Sequence, residues 1–560
     1  MFFKYILLDL DNTIYDYNLC HNKAINSIIQ ELQLKCNKNI QELKNLYDSI
    51  STKLKYELKQ TASSHNKFIY IKHLLEQLNI DLSYCIYYEK MYWDVFYNHL
   101  CCFDGILEFI KWIKSENIKI AIITDYETEY QIQKLEKLGL LSYIDNIITS
   151  EEVGIEKPSK LIFLTSLHKL NCKLDEVIMI GDNFDKDIVG AINLNICAFW
   201  FHKNNNNSFY KHNNYFEFNH FKELYLYFTN CKTEIQRLEY ISKYCGERFD
   251  LTQAGGGNTS VKYKDFMFIK ASGYHLTQVN QINGYISINN EILKQDIYDN
   301  NTKPIIEYNI IGSLRASIET YMHSILKKYT IHLHPIQINK ILISKKCDEF
   351  IREFFPTSLL IEYDTPGINV CNKIMKSYNN ENLIFLKNHG IIITVDNYEE
   401  MIPLLENTLV IFEQKLNIDF DKYKFVNKIS KHINNNYENI SYLCENKTIY
   451  DYLFHKKELF LEKITFPDAL IFCGLKILFI DDLNELQSYF ETYNEYPKII
   501  VINQLIYIIN ISLQKCKDTE DVLKGNLMTL DNNMEKTYLT NKEICYLNNW
   551  DAEKYRKTIK

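Results

Sequence analysis

Three short apolar runs, each followed at once by polar residues, constrain the fold of this chain more than any other feature. They are Tyr5-Ile-Leu-Leu, the run from Ile118 to Ile123, and the run from Val177 to Ile180. Uninterrupted runs of this kind are typical of parallel strands that are buried on both faces of a sheet. Functional groups gather at the carboxyl ends of such strands. The sequence therefore predicts an α/β fold in the first 202 residues.

The remaining pattern divides the chain into further regions. Between Tyr15 and about Cys101 the pattern is helical and charged, which predicts a helical insertion after the first strand. Residues 203–220 are rich in Asn and predict a linker. Residues 221–439 alternate helical and strand-like stretches, and residues 440–560 continue in the same way, which predicts a second α/β domain with a C-terminal extension.

Composition excludes several classes of protein. Hydrophobic residues make up 46% and charged residues 24%, as in ordinary globular proteins, so a wholly disordered chain is excluded. The net charge of −8 disfavours nucleic acid as a partner, because such proteins carry a basic surface. The 15 Cys include no C-x-x-C pair, which predicts reduced thiols and a cytoplasmic protein. The run from Ile499 to Leu513 is too short and too polar to cross a bilayer, so we expect no membrane partner.

The end of the first apolar run carries two acidic residues, Asp9 and Asp11, in the sequence D-L-D-N-T. Residues two apart on a strand share a face, so both carboxylates point into one crevice. Two close carboxylates repel each other unless a cation lies between them. One can attack phosphorus while the other moves a proton, so the pair predicts phosphoryl transfer.

Three more motifs follow in order, and with D-L-D-N-T they resemble the haloacid dehalogenase superfamily over roughly residues 1–202. Thr124 ends IAIITD, Lys157 lies in GIEKPS, and GDNFDKD holds two further aspartates. The resemblance implies a Rossmann-like domain in which Asp9 is the nucleophile and Asp11 the general acid/base. The helical insertion, about 15–101, would be the cap that closes over small substrates.

The same resemblance implies the ligands of the transferred group and of Mg²⁺. Thr124 and Lys157 would bind the phosphoryl group. The metal would be held by Asp9, by the backbone carbonyl of Asp11 and by Asp182, while Asp187 would support Lys157 or the metal shell.

A second cluster of chemical groups lies in the middle of the chain. In Ile331-His-Leu-His-Pro, His332 and His334 share one strand face, and His389 ends the run LIFLKNH. Three neutral imidazoles with an open position are typical of a catalytic metal site. Upstream, the run AGGGNTSVK can bring backbone N–H groups close to an anion.

The motifs GGGNTSVK, IKASG, SIETYMH, HLHP and KNHG together resemble the class II aldolase/adducin family over roughly residues 235–420. The resemblance implies an α/β/α domain in which the three histidines bind Zn²⁺ or a similar divalent ion and Glu319 is the acid/base residue. Related epimerases usually carry Asp at that position, so Glu favours an aldolase. The residues implied to bind the substrate phosphate are Asn258, Ser260, Ser272, Gly273 and Ser317.

The C-terminal region resembles the segment that follows the aldolase unit in rhamnulose-phosphate aldolase/dehydrogenases. No G-x-G-x-x-G follows a strand, so we expect no nicotinamide chemistry. Our leading hypothesis is a bifunctional enzyme, a Mg²⁺-dependent phosphatase joined to an aldolase, both acting on small phosphorylated metabolites. Two alternatives stay open: a sugar-phosphate dehydratase with a phosphatase, as in methionine salvage, and a non-catalytic metabolite-binding protein. The family resemblance also implies a homo-oligomer, possibly a tetramer.

Overall fold

The computed structural model describes residues 3–203, 210–212, 215–311, 314–433 and 439–548. The chain divides into two compact units. The first is Met1–Thr233 with Asn309–Ser313, and the second is Glu234–Tyr308 with Leu314–Lys560. The boundary between the two units along the chain, at Thr233 and Glu234, falls within helix α10 (Phe221–Gly246). Each unit is α/β, as the sequence predicted.

The first unit is built on a sheet that has seven strands within the described residues, in the order β3-β2-β1-β4-β5-β7-β6. The three apolar runs form its centre, where β1 pairs in parallel with β2 on one side and with β4 on the other. Leu7, Ala121 and Met179 are fully buried there. The strands are β1 (Tyr5–Leu8), β2 (Lys119–Thr124), β3 (Asn146–Thr149), β4 (Val177–Gly181), β5 (Cys197–Phe201), β6 (Tyr210–Lys211) and β7 (Tyr215–Phe218).

Four α-helices lie in the stretch after β1 where the sequence predicted a helical insertion, and a fifth, α5 (Ile106–Ser115), follows them before β2. The first four are α1 (Tyr17–Gln33), α2 (Ile40–Glu57), α3 (Lys67–Gln77) and α4 (Cys85–Asn98). Side-chain caps stop the first three from fraying, for example Asn39 at the start of α2. The other helices of this unit are α5 (Ile106–Ser115), α6 (Thr128–Lys137), α7 (Ser150–Val153), α8 (Lys160–Leu170) and α9 (Val189–Ile192).

The predicted linker over 203–220 is not a linker in its described part. Strands β6 and β7 lie in it, and β7 pairs in parallel with β5. Phe216 stacks on Phe199 with ring centroids 4.7 Å apart. The Asn-rich composition drew attention away from the aromatic-rich sequence Tyr-Phe-Glu-Phe, and aromatic residues favour β-strands. Residues 204–209 and 213–214 lie outside the described residues.

The second unit contains a larger sheet, in which seven strands run in the order β10-β9-β8-β12-β15-β14-β13. Most neighbours are antiparallel, and β12 lies between β8 and β15. The short strand β11 (Asn309–Ile311) groups with the first unit. The strands are β8 (Asn258–Tyr263), β9 (Phe266–Lys270), β10 (Tyr285–Asn289), β12 (Tyr329–Leu333), β13 (Leu359–Ile361), β14 (Leu383–Leu386) and β15 (Gly390–Val395).

A smaller sheet in the second unit lies within the predicted C-terminal extension. Its strands are β16 (Ile440–Leu443), β17 (Leu478–Phe479), β18 (Ile499–Ile502) and β19 (Leu505–Asn510), in the order β16-β19-β18-β17. The helices of this unit are α11 (Asn290–Tyr298), α12 (Thr320–Ile325), α13 (Ile336–Leu342), α14 (Cys347–Phe354), α15 (Ile368–Ser377), α16 (Met401–Leu416), α17 (Asp421–Ile433), α18 (Lys447–His455), α19 (Pro467–Cys473), α20 (Glu485–Tyr493), α21 (Leu513–Leu530) and α22 (Asn541–Asn548). Among the described residues, no helix combines the length and the apolar character that a bilayer crossing requires.

Candidate active sites

The first site lies at the carboxyl ends of β1, β2 and β4. Asp9 directly follows β1, Thr124 ends β2, and Asp182 directly follows β4. These strands are parallel neighbours, so their ends meet at one edge of the sheet. The Asp9 backbone N–H donates to the Ile180 carbonyl at 2.9 Å, which fixes the start of the Asp9 loop against β4.

Lys157 is the central cation of this site. Its Nζ donates to Asp9 Oδ1 at 2.6 Å and to the Ile123 carbonyl at 3.0 Å, and it lies 2.7 Å from Asp187 Oδ1. The residue is only 4% exposed. Burial alone would lower the pKa of Lys157, but the carboxylates of Asp187 and Asp9 hold it well above its usual range. Lys157 is therefore a permanent charge in the site.

Three carboxylates face this single ammonium. One oxygen from each of Asp9, Asp182 and Asp187 lies within 4.8 Å of the others. Burial raises the pKa of Asp9 well above its usual range despite Lys157, and burial with the charge of Asp187 raises the pKa of Asp182 to about 7. An uncompensated negative charge of this kind is relieved by a cation, and carboxylate oxygens are the ligands that Mg²⁺ prefers. The residues present therefore fit a magnesium ion.

Two small residues keep this cluster compact. The Thr13 hydroxyl donates to Asp9 Oδ2 at 2.7 Å and lies 3.2 Å from Asp182 Oδ1. A Cβ at Gly181 would stand 2.4 Å from a carboxylate oxygen of Asp187, so only glycine fits there. The sequence motifs contain both residues, but their spacing alone did not reveal these roles.

Asp11 is held apart from the metal-binding carboxylates by a set of donors that the sequence did not predict. Lys134 Nζ donates to its Oδ1 at 2.8 Å, Gln131 Nε2 donates to its Oδ2 at 3.1 Å, and the Tyr15 hydroxyl also donates to it. Burial would raise the pKa of Asp11, but Lys134 and these hydrogen bonds lower it. Gln131 also donates to the Thr124 hydroxyl at 2.5 Å. The one available signal was that Gln131 and Lys134 share a face of α6.

A cavity of about 580 Å³ opens onto this site. Its walls include Asp9, Asp11, Thr124, Lys157 and Asp182. Residues of the helical insertion also line it, among them Tyr17, His21, Tyr47, Lys55 and Lys67. The volume is in the range of pockets that hold small metabolites.

The second site forms where β12 ends and β15 begins. These strands are antiparallel neighbours, so the carboxyl end of one meets the start of the other. His332 lies near the end of β12, His334 follows the strand, and His389 directly precedes β15. A Cβ at Gly390 would stand 2.3 Å from the Leu333 carbonyl and 2.8 Å from the His334 ring, so this approach needs glycine.

The three imidazoles converge through their Nε2 atoms. His332 Nε2 lies 3.1 Å from His334 Nε2 and 3.3 Å from His389 Nε2. His332 Nδ1 donates to the Ile391 carbonyl at 3.1 Å, so its Nε2 presents a lone pair to the other rings. Burial lowers the pKa of His334 to about 3, which keeps it in the neutral form that binds metals. Nitrogens about 2.0–2.1 Å from a shared tetrahedral ion are separated by roughly 3.3 Å, so the residues fit a divalent cation.

Glu319 completes this cluster. Its Oε1 lies 3.4 Å from His332 Nε2 and 3.2 Å from His389 Nε2. Burial would raise the pKa of Glu319, but the two imidazoles hold it well below its usual range. Asn258 Nδ2 donates to its other oxygen. Helix α12 begins at Thr320, so Glu319 lies at the start of that helix rather than within it.

Four of the five predicted phosphate-binding residues lie on segments that the fold brings together. Asn258 Nδ2 lies 3.4 Å from the Ser317 hydroxyl, which in turn accepts from the Glu319 backbone N–H at 3.3 Å. The Ser272 backbone N–H donates to the Arg315 carbonyl at 2.7 Å, so the Ser272–Gly273 loop runs beside the segment that carries Ser317.

The structure places the fifth residue, Ser260, elsewhere. It is fully buried, and its hydroxyl is hydrogen-bonded to His323 Nδ1 at 2.8 Å. Helix α12 carries His323 against this part of β8, so the position that the family resemblance implied for a phosphate ligand is here a packing position. Lys270 was not predicted, although it lies in the IKASG motif. Burial lowers its pKa to about 8, against the charge of Glu319.

Comparison with known proteins assigns each site to a family. Residues 6–201 match the family model for haloacid dehalogenase-like hydrolases. Residues 236–414 match the model for the class II aldolase and adducin N-terminal domain.

Curated relatives and solved structures match parts of the chain. Ribulose-1,5-bisphosphate 5-phosphatase of Halopiger xanaduensis is 30% identical over 190 residues, which is 33% of this chain and 79% of that protein. Glyceraldehyde 3-phosphate phosphatase of Methanocaldococcus jannaschii is 28% identical over 196 residues, 34% of this chain and 80% of that protein. The solved N-terminal class II aldolase domain of a Thermoplasma acidophilum protein is 23% identical, covers 33% of this chain and 93% of that chain, and has a TM-score of 0.30.

The chain therefore belongs to the haloacid dehalogenase-like hydrolases over residues 6–201, and its residues 236–414 match the model of the class II aldolase and adducin N-terminal domain.

Proposed function

We propose that this chain is a bifunctional enzyme of sugar-phosphate metabolism. The first unit would hydrolyse phosphomonoesters with Mg²⁺, and the second would cleave or form a ketose phosphate with Zn²⁺ or a similar ion. One observation carries the proposal: each unit contains its own cluster of metal-ligating groups, and each cluster includes a carboxylate placed for catalysis.

In the first unit Asp9 attacks phosphorus, and the ester P–O bond breaks as an aspartyl phosphate forms. Asp11 donates a proton to the leaving alcohol oxygen and then takes one from the water that releases phosphate. Lys157 and Thr124 hold the phosphoryl oxygens. Asp9, the Asp11 carbonyl and Asp182 would hold Mg²⁺, whose charge would offset that of the phosphoryl group. The phosphatase activities that the names of the relatives state support this part of the proposal.

In the second unit His332, His334 and His389 would hold the divalent ion, which polarises a substrate carbonyl when bound. Asn258, Ser317 and the Ser272–Gly273 loop would bind the substrate phosphate. Glu319 would return a proton to carbon after the C3–C4 bond has broken. This role is supported by the short distances from Glu319 Oε1 to His332 Nε2 and His389 Nε2, 3.4 and 3.2 Å.

The decisive test measures retro-aldol cleavage in protein whose phosphatase site has been disabled. Asp9→Asn protein, in which phosphatase activity is silenced, is offered a panel of ketose 1-phosphates, and release of dihydroxyacetone phosphate is measured. We expect release that disappears in the Asp9→Asn/Glu319→Gln double variant. A product with an intact carbon skeleton would replace the aldolase with a dehydratase, and metal binding without any turnover would replace it with a metabolite-binding protein.

We also propose a homo-oligomer such as a tetramer, which the resemblance of residues 236–414 to the class II aldolase and adducin family supports. Light scattering on the full chain tests this, and a monomer at micromolar concentration would contradict it.

A further inference from the structure

The helical insertion of the first unit buries a lysine that forms no ion pair among the described residues. Lys67 is the first residue of α3 and is 4% exposed. Its Nζ donates to the His65 carbonyl at 2.9 Å, and among the described residues no carboxylate oxygen lies within 4 Å of it. Isolated buried charges are costly, so such a residue is kept for a reason other than the stability of the fold.

Aromatic rings surround this ammonium in place of an acid. Its Nζ lies 4.9 Å from the ring centroid of Tyr70 and 5.8 Å from those of Tyr17 and Tyr126. Cation–π contacts offset part of the desolvation of the charge. The carboxylates of Asp11 and Glu127 also favour it, but neither forms an ion pair with it. Burial lowers the pKa of Lys67 to about 7, and the nearby charge of Lys55 adds to this effect. The described hydrogen bonds use one of its three protons, which leaves two for a ligand.

Lys67 faces the same cavity as the phosphoryl-transfer residues. Asp9, Thr124 and Lys157 line one part of that cavity, and Lys67 and Lys55 line it from the helical insertion. Lys157 and Lys134 already pair with aspartates, whereas Lys67 and Lys55 have no ion pair among the described residues. A ligand held at Asp9 by its phosphate would therefore meet additional positive charge elsewhere in the cavity.

We propose that Lys67 forms a second anion subsite, and that the phosphomonoester cleaved at Asp9 carries a second anionic group, a carboxylate or a further phosphate, that Lys67 binds. This inference rests on the proposed phosphatase function and specifies its substrate class. Lys67 acts as a specificity-determining residue, and Lys55, at the exposed part of the wall, adds to the attraction. The negative charge of Asp48, which also lines the cavity, opposes it.

The test compares substrates that differ only in the second group. One pair is 3-phosphoglycerate and glycerol 3-phosphate, and the other is ribulose 1,5-bisphosphate and ribulose 5-phosphate. For wild-type protein we expect a higher kcat/KM with the doubly anionic member of at least one pair. Lys67→Met should lower that value on the order of 10- to 100-fold, mainly through KM, because a charged hydrogen bond is lost. Its effect on the singly anionic member should stay within about twofold, since that member makes no such bond. The pair that responds identifies the group as carboxylate or phosphate.

Lys72→Met is the matched control, because Lys72 lies on the same helix but is exposed and pairs with Glu76 at 2.7 Å. It should leave every kinetic value unchanged. An equal loss on both members of each pair in Lys67→Met, or no preference in the wild type, would overturn the subsite. Unfolding of the ligand-free protein adds a second check: Lys67→Met should be at least as stable as wild type, and a clear loss would indicate a structural lysine.

Binding separates this inference from the proposed function. In the Asp9→Asn background, titration calorimetry measures ribulose 1,5-bisphosphate and 3-phosphoglycerate with and without Lys67→Met. Binding that depends on Lys67 without any turnover in the wild type would retain the subsite and reject the phosphatase. Turnover of singly anionic esters with no binding that depends on Lys67 would retain the phosphatase and reject the subsite.

Discussion

In the first unit Asp11, the carboxylate proposed to transfer protons, is held by a lysine, whereas in the second unit Glu319 is held by the imidazoles that are proposed to bind a metal. Both contacts lower the pKa of the carboxylate. Lys134 is a built-in cation that does not depend on a metal, whereas the imidazoles are neutral ligands once a metal is bound. Under the proposed function, the first site would therefore separate proton transfer from metal binding, and the second would combine them.

The two clusters also differ in the chemical type of the groups that could bind a metal. The first cluster offers three carboxylates to a hard ion and contains its own ammonium, Lys157. The second offers three imidazole nitrogens and one carboxylate. Oxygen ligands suit Mg²⁺, and imidazole suits Zn²⁺, Mn²⁺ or Fe²⁺, so the two sites should be selective for different ions. The comparison predicts that each site can be disabled without the other.

The largest expected effect comes from removing one nucleophile. Asp9→Asn should lower phosphate release on the order of 10⁴-fold or more, because no group remains to form the covalent intermediate. Retro-aldol cleavage, measured in the same preparation as dihydroxyacetone phosphate release, should stay within about twofold, because the mutated group serves only the other reaction. The reciprocal control is Glu319→Gln, which should spare phosphate release. If either variant lowered both activities together, the prediction that the two sites work independently would be wrong.

The next effect concerns the metal of the second unit. His332→Ala should release the bound ion and lower aldolase activity about 100-fold or more. Mutation of a residue that only hydrogen-bonds to a metal ligand already costs about 10- to 100-fold in metal affinity or activity, and loss of a ligand itself should cost at least as much. Metal content by plasma mass spectrometry checks the first part and the cleavage assay the second. His323→Gln is the control: this histidine is buried nearby on Ser260 and belongs to no described ligand cluster, so its variant should keep the ion. Equal metal content in His332→Ala and wild type would contradict the three-histidine site.

A smaller effect should appear in the pH profile of the first unit. Lys134→Met removes the charge that lowers the pKa of Asp11, so that pKa should rise. Asp11 must carry a proton when the leaving group departs, so the alkaline limb of kcat/KM should move to higher pH. The expected loss at the optimum is on the order of 10-fold. Lys137→Met, exposed on the same helix, should leave the profile unchanged, and an unshifted limb in Lys134→Met would mean that Lys134 only packs.

The smallest expected effect is on folding stability, and it compares how one buried ionisable residue in each unit makes that stability depend on pH. In the second unit burial raises the pKa of Glu247 to about 8, opposed by Ser430 and Asn427. The folded form then binds more protons than the unfolded chain between about pH 4.5 and 8, so its stability falls as pH rises through that window. Lys67 in the first unit has a pKa lowered to about 7, so its contribution to stability rises with pH between about 7 and 10.5.

The variant Glu247→Gln measures how much the buried Glu247 carboxyl contributes to the pH dependence of stability in the second unit. At pH 9 it should stabilise the second unit on the order of 3 kcal/mol, and at pH 5 it should have little effect, because the wild-type carboxyl is then neutral in the folded state. Scanning calorimetry at the two pH values follows the unfolding transition. Glu353→Gln, on an exposed position of the same unit, should change neither value, and equal gains at pH 5 and pH 9 for Glu247→Gln would contradict the buried ionisation.

The sequence by itself determined the α/β class of both units and the family of the first, and it predicted the residues that lie at the centre of each cluster. Strand ends and alternation are local rules, so Asp9 and Asp11 after β1 and the two histidines of His-Leu-His could be placed from their neighbours along the chain. Composition misled where it hid a strand, as with β7 in the Asn-rich stretch. The family resemblance misled at Ser260, whose hydroxyl packs on His323.

Only the tertiary structure decided which distant groups surround these centres. Lys134 meets Asp11 from a helix 123 residues away, and Lys67 reaches the same cavity from the helical insertion. A lysine on an amphipathic helix usually points to solvent, so no sequence pattern distinguishes these two. Their burial depends on how several elements pack together, and that packing turns two ordinary charges into the groups that tune and, as proposed, select the substrate of the first site.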